Sequence, residues 1–258
     1  MRTSCGERRL SRVLVLSDIH GNLDALEAVL RDAGKVDTVW CLGDVVGYGP
    51  QPKECLHRIA NLPGLICVQG NHDAAVTGKL DLYAFNREAI LSIQWTRAQL
   101  SADDVEWLAN LPEKVEFDDI TLTHGSPRNP IWEYLLDLNT VQVNFSHFTT
   151  SFCLVGHTHI PVMYTYFNRN GNGKDEGYVD WMIPQPNQKI RLIPRSIANP
   201  GSVGQPRDRD VRAAYAIYMP ESQQWELRRV EYDIRAVQQK ILAAGLPSRH
   251  ASRLEEGW

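Results

Sequence analysis

The sequence predicts an α/β fold of two facing sheets flanked by helices. Three observations carry this expectation. The first 70 residues alternate short continuous apolar runs with segments whose apolar residues recur at helical spacing, the pattern of a βαβαβ unit on a covered parallel sheet. Beyond residue 159, strand-like segments dominate. Metal-ligand residue types gather just past the ends of several runs, and the crevice outside strand carboxyl ends is where such a fold binds ligands.

Val13-Leu14-Val15-Leu16 reads as a buried parallel strand. Asn22 to Ala33 is helical, with Asn22 as N-cap and Gly34 as the stop. Thr38 to Leu42 is a strand, a helix begins near Pro52, and Leu65 to Val68 is a third strand. Asp81 to Leu100 and Ala102 to Asn110 read as helices whose aromatic residues pack inward. Val115-Glu116-Phe117 and Ile120 to Thr123 pair around Asp118-Asp119, Ile131 to Phe148 is expected to be one helix, and Phe152 to Val155 is a strand. The later strands are expected at 162–167, 179–183, 190–193, 213–218 and 225–232, with Asn170-Gly171 as a hairpin signal. A last helix is expected from Ile234 to Ala244.

The 258 residues are 43% hydrophobic and 22% charged, an ordinary globular balance. No repeat or linker divides them, so residues 1–258 are expected to form a single domain behind a flexible polar tail at 1–10. The net charge of −4 gives no footprint for nucleic acid. No apolar run approaches the roughly 20 residues of a membrane span, and Leu10 to Leu16 is too short for a signal segment. The five cysteines are scattered, with Cys41, Cys67 and Cys153 in apolar runs; they read as core thiols of a cytoplasmic protein.

The chemistry lies in the clusters Asp18-Ile19-His20, Gly43-Asp44, Gly70-Asn71-His72-Asp73, His124-Gly125 and Gly156-His157-Thr158-His159. Singly, each is an ordinary turn, cap or surface pair. Together they hold five of the eight histidines, in an order compatible with one crevice. Asp18 and His20 are two apart, so an extended chain would aim both to one side, and His157 and His159 repeat that spacing. Gly156 permits close backbone approach. Carboxylate, amide and imidazole donors without thiolate suit manganese, with iron, zinc or nickel as alternatives. Two ions roughly 3.5–4 Å apart would clamp an in-line displacement at phosphorus. Asp44, anionic and with two oxygens, is the natural bridge. His57, His147 and His250 lie outside the clusters and receive no role.

These motifs resemble the calcineurin-like metallophosphoesterase superfamily, in order, over residues 12 to 205. The resemblance implies a four-layer α/β/β/α sandwich of two mixed sheets and a hydroxide bridging two divalent metal ions. It implies that Asp18, His20, Asp44 and His159 hold one ion, and that Asp44, Asn71, His124 and His157 hold the other. His72 is then the non-ligand histidine that contacts substrate phosphate and helps the leaving group depart. Asp73 is a supporting or turn residue. Gly43 to Pro50 and Asn199 to Arg207 resemble a group of small prokaryotic phosphoesterases. Where protein phosphatases carry Asp-Arg-Gly, this chain has Gly47-Tyr48-Gly49, which speaks against protein phosphatase and diadenosine tetraphosphatase activity. Arg207 and Arg128 are candidates to replace the missing cation, although a plain surface role is the expected one for either, and Tyr48 is read either as a substrate contact or as packing on its loop. The 199–205 loop is expected to be a structural turn closing the crevice, ahead of a phosphate cradle.

The expected function is metal-dependent hydrolysis of a small phosphomonoester or phosphodiester, nucleotides included, with the 77–110 and 126–150 segments shaping specificity. Two alternatives stand beside it: a non-catalytic binding scaffold of the same fold, and a nuclease of the same superfamily.

Overall fold

The computed structural model describes residues 12–168 and 177–258. The expected flexible tail at 1–10 and the Asn170-Gly171 turn lie outside the described residues. In chain order the elements are β1 (Val13–Leu16), α1 (Leu23–Ala33), β2 (Thr38–Cys41), α2 (Pro52–Ala60), β3 (Ile66–Cys67), α3 (Asn71–Thr77), α4 (Arg87–Gln99), α5 (Ala102–Ala109), β4 (Lys114–Phe117) and β5 (Ile120–Thr123). They continue as α6 (Leu138–Asn144), β6 (Phe152–Leu154), β7 (Val162–Asn168), β8 (Gly177–Met182), β9 (Lys189–Arg191), β10 (Ser196–Asn199), β11 (Ala213–Met219), β12 (Gln224–Val230), α7 (Ile234–Ala243) and α8 (Ser248–Glu256).

Two six-stranded sheets face each other, ordered β3-β2-β1-β11-β12-β9 and β4-β5-β6-β10-β7-β8. Both are mixed: β1 runs parallel to β2 and antiparallel to β11, and β10 runs parallel to β6 and antiparallel to β7. Strand alternation divides the core. Val13, Val15, Trp40 and Leu42 point between the sheets and meet Leu122, Leu154 and Trp225. Leu14, Leu16, Val39 and Cys41 point outward onto Leu26, Val29, Cys55, Ile59, Val76 and Leu108 of the helices covering the first sheet. Val141 and Phe145 cover the far face of the second sheet through Cys153, Val155 and Ile197. That is the expected four-layer sandwich. The four described cysteines are free and buried. No helix among the described residues is long and apolar enough to cross a membrane.

Some expectations fail locally. Of the single helix expected over 131–148, only Leu138–Asn144 is α-helical. The chain before it is tied back into a loop by Gly125 N–H donating to the Pro130 carbonyl, and by Ser126 and Asn144 donating to the Glu133 carboxylate. Asp137 then caps a fresh helix by accepting from the Asn139 and Thr140 N–H groups. The helix expected over 81–100 begins instead as a 3-10 turn at Leu82–Ala84 and restarts behind the Asn86 cap. The final helix is α8, not the α7 expected to be last; the two pack together through Val237, Ile241, Ala251 and Leu254. Strand β10, unanticipated, occupies the centre of the second sheet.

Trp40 is 1% exposed between the sheets, edge-on to Phe117 at 5.2 Å and tilted against Tyr218 at 5.8 Å. Truncating it leaves a cavity that two hydrogen-bonded sheets cannot collapse. Trp40→Ala is expected to cost about 3–5 kcal/mol, read as a lower urea midpoint at unchanged slope. A loss under about 1 kcal/mol would mean that this inter-sheet contact does not hold the layers together.

Candidate metal centre

The donors meet at the carboxyl ends of β1, β2 and β6, at the start of α3, and just past β5. Asp18 and His20 follow β1, but the chain there is not extended. Asp18, His20, Asp44, His157 and His159 all take left-handed backbone, with φ of 53°, 50°, 55°, 66° and 61°. The spacing of two therefore works through tight left-handed turns rather than pleat alternation, which corrects the expectation. Asp and His tolerate this region better than most residues, and such strain concentrates at functional sites. Cross-strand bonds fix the turns: Asp18 N–H donates to the Gly43 carbonyl at 3.0 Å and His20 N–H to the Asp44 carbonyl at 2.9 Å. At Gly156, a Cβ would overlap Ser17 Oγ, so only glycine lets the β1 and β6 turns close together.

Each ligand-type histidine is locked by a backbone carbonyl. His20 Nδ1 lies 3.2 Å from the Val46 oxygen, His124 Nδ1 2.7 Å from that of Leu42, and His159 Nδ1 2.6 Å from that of Gln205. His157 turns the other way, with Nε2 3.2 Å from the Trp132 oxygen. A carbonyl only accepts, so these nitrogens carry protons and the opposite ring nitrogens face inward. Inside the cluster, His20 Nε2 and His159 Nε2 face each other at 3.1 Å. His124 Nε2 and His157 Nδ1 do the same at 3.1 Å, with Asn71 Oδ1 3.1 Å from His124 Nε2.

Asp44 Oδ2 sits between the two pairs, 3.6 Å from His20 Nε2 and 3.4 Å from His124 Nε2. Its other oxygen accepts the His72 N–H at 2.9 Å. A single oxygen, rather than two, is thus turned to both sides. Asp18 Oδ2 accepts the His157 N–H at 3.1 Å, while Oδ1 is buried without a hydrogen-bond partner, 3.3 Å from His159 Nε2.

These donors fit metal ions. Burial holds His20 and His159 well below their ordinary range, so both are neutral at pH 7 and present lone pairs to each other. Two nitrogens bound to one ion at about 2.0–2.1 Å would lie about 2.9–3.4 Å apart. Groups of three donors, Asp18-His20-His159, His20-Asp44-His72 and Asp44-His124-His157, each fall within 4.8 Å. The second half is held in the metal-free protein by a proton. Against the cost of burial, Asp44 and Asp18 push His124 up to about 9, and His124, with His72 and His20, keeps the Asp44 carboxyl well below its usual range despite burial.

His72 shares one of these groups with His20 and Asp44. Its ring packs at 4.3 Å on Tyr48 and 4.9 Å on His20, and burial pushes its pKa down to about 4. Its Nδ1 is buried and unpartnered. Gly47 makes the room: a Cβ there would sit 2.6 Å from that nitrogen. Asp73 accepts N–H groups from Asp44, Gly70 and Val46, tying the β2 and β3 exits together. The 199–205 loop closes the crevice as a turn: its N–H groups at Val203, Gly204 and Gln205 are spent on Ser17, Asp18 and Ser202. Arg128 is exposed and committed to Glu133, whereas Arg207 extends toward Tyr48, its guanidinium carbon 6.0 Å from the ring centre.

The sequence left several contributors unread. Tyr134 stacks on His157 at 3.7 Å, and Phe85 and Trp132 complete an aromatic collar running to His72. His250, assigned no chemistry, packs on Tyr48 at 4.8 Å. Pro130 beside His124-Gly125 was a signal for the loop that carries Trp132. Nothing local marks His250.

The calcineurin-like phosphoesterase superfamily domain matches residues 12–223, and the chain belongs to that superfamily. An uncharacterised protein of Methanocaldococcus jannaschii is 36% identical over 251 residues, covering 95% of this chain and 97% of its own. The crystal structure of a metallophosphoesterase from Sphaerobacter thermophilus superposes with a TM-score of 0.85 at 43% identity, covering 97% of this chain and 100% of that one. A symmetrical bis(5'-nucleosyl)-tetraphosphatase of Vibrio cholerae is 29% identical over 127 residues, 46% of this chain and 45% of that protein. The family supports phosphoester hydrolysis, and the clustered histidines and aspartates could bind metal.

The His124 proton gives a pH signature. Its folded value of about 9 lies above the ordinary 6.5, so its stabilisation is full below pH 6.5 and is lost as pH rises through 9. Without metal, the melting temperature should fall across that window, and His124→Gln should flatten the fall. Added divalent cation should restore most stability at the alkaline end, where it no longer competes with the proton. A wild-type profile flat from pH 6.5 to 9 would contradict the protonated pair.

Proposed function

We propose that residues 1–258 form one cytoplasmic, dinuclear metal-dependent phosphoric ester hydrolase acting on a small phosphomonoester or phosphodiester, with manganese as the preferred metal. The observation that carries this reading is the pair of 3.1 Å nitrogen contacts on either side of one Asp44 oxygen. Asp18, His20, His159 and Asp44 would hold one ion, and Asp44, Asn71, His124 and His157 the other. When bound, the ions supply a hydroxide near neutral pH and neutralise charge on the phosphoryl oxygens.

The remaining residues divide the work on substrate. His72 is neutral at rest, so its ring donates a single N–H to a phosphoryl oxygen. An arriving phosphate dianion raises its proton affinity, which lets it protonate the departing alkoxide only when substrate is present. Arg207 grips the phosphate from the Tyr48 side. Tyr48 itself, 8% exposed and covered by His20, His72 and His250, serves as the packing platform for these groups. Asp73 fixes Asp44 and Gly70, and Arg128 secures the 126–133 loop through Glu133. The complete donor set favours a hydrolase over a binding scaffold, and the net charge of −4 weighs against a nucleic-acid partner. The partial likeness to a bis(5'-nucleosyl)-tetraphosphatase supports a nucleotide-like ester.

A panel of phosphomonoesters, bis-p-nitrophenyl phosphate and cyclic nucleotides, each with and without added Mn²⁺, tests the reading. Metal-stimulated turnover with about two ions per chain is expected. Absence of hydrolysis with Mn²⁺, Fe²⁺, Zn²⁺ and Ni²⁺ alike would refute it. His72→Ala should keep both ions while kcat drops about 10²- to 10⁴-fold. If that variant turned over like wild type, His72 would have no part in leaving-group departure.

A further inference from the structure

Two guanidinium groups act on Tyr48, that of Arg207 with its central carbon 6.0 Å from the ring centre and that of Arg253 from α8. Arg207 donates to Gln205 Oε1 at 2.9 Å, yet its Nε is buried with no partner. Arg253, on α8, also has a buried, unpartnered Nε. Neither forms an ion pair among the described residues. The neighbouring acid Asp208 pairs with Arg229 through one oxygen, and Glu88, the acid that acts on Arg253, forms no ion pair with it and offers His250 its backbone carbonyl at 3.3 Å. Arg253 lies one turn beyond His250 on the same helix, and His250 rests on the Tyr48 ring at 4.8 Å. Both cations act on the Tyr48 phenol, and Arg207 also acts on Asp18, His20, His72 and His159 of the metal centre.

This arrangement is unfavourable unless something answers it. Burial, and then Arg207, push Arg253 below its ordinary range. His250 is neutral, because burial lowers it to about 4, so it adds no charge. The apolar contacts of α7 and α8, Val237, Ile241 and Leu254 among them, hold Arg253 in place although Glu88 offsets its charge only in part and without an ion pair. Two forks of N–H donors beside a metal centre match phosphoryl oxygens bidentately. A base would find no stacking face here, since the Tyr48 ring is covered by three histidines.

We propose that Arg253 binds a second phosphoryl group of the substrate, with Arg207 bridging from that group to the one held at the metal centre, so that the preferred substrate carries two or more linked phosphates. This rests on the phosphoester hydrolase reading and names its substrate class.

The test compares phosphate with methylenediphosphonate by titration calorimetry on the metal-loaded protein, and kcat/KM for AMP with that for ADP. The wild type should bind the diphosphonate about 10- to 100-fold more tightly than phosphate, and favour ADP. Arg253→Gln should erase most of both preferences, and Arg253→Lys should recover part of them. Equal wild-type affinity for the two ligands overturns the proposal. So does a preference that survives Arg253→Gln, since that would place the second phosphate on the metal ions alone. Circular dichroism identifies a glutamine variant that has not folded, in which case Arg253→Lys carries the test through its expected partial loss. If no phosphate ester is hydrolysed at all, the hydrolase reading fails while the calorimetry still reports on the subsite.

Discussion

One oxygen, Asp44 Oδ2, lies between the two halves of the donor cluster, and the surrounding backbone keeps it there. The other Asp44 oxygen is occupied by the His72 N–H, and the Asp44 N–H is held by Asp73. The Asp44 carbonyl in turn anchors His20, and the Leu42 carbonyl orients His124. Rotating the carboxylate would therefore disturb both β1 and α3, and would leave a buried donor unpaired. A charge this confined needs cations on both sides. In the metal-free protein the His124 proton supplies one of them. On the other side, two neutral imidazoles contribute only lone pairs, which is a geometry for receiving a cation rather than for stability without one.

The same confinement explains why the site sits on so rigid a frame. Five donors in left-handed backbone cost on the order of 1–2 kcal/mol each. Such turns persist only when the flanking strands cannot relax. Here β1, β2 and β6 are central strands, buried on both faces, and each feeds its turn directly from the core. Local destabilisation at the mouth is offset by apolar burial behind it, so the layers and the site are one energetic unit.

Much of this was legible in the sequence because continuous apolar runs and tightly spaced donors are local signals. Val13–Leu16 announces a strand buried on both faces, and the five donor clusters fall where strands end. The misreadings share one cause: tertiary contacts replaced the local pattern. Ile131 to Phe148 carries a helical rhythm, but the Glu133 carboxylate gathers Ser126, Arg128 and Asn144 and folds its first half into a loop. Asp18 and His20 were correctly grouped, though by alternation along a strand that does not extend that far. His250 and Arg253 were invisible because nothing within ten residues of them hints at metal chemistry; only the packing of α8 on Tyr48 brings them near.

That packing bears on the departure at Gly47-Tyr48-Gly49. A motif arginine in this turn would reach phosphate from the β2 exit. Here the turn delivers a tyrosine in left-handed backbone, φ 56°, whose ring fills the space between His20, His72 and His250. An arginine at 48 could not occupy that enclosed position without burying a further charge beside Arg207. The cations that act on this ring are instead Arg207, from the loop after β10, and Arg253, from the C-terminal helix. Since α8 lies beyond the stretch matching the superfamily domain, the proposed second-phosphate subsite draws one of its two arginines from outside the shared domain.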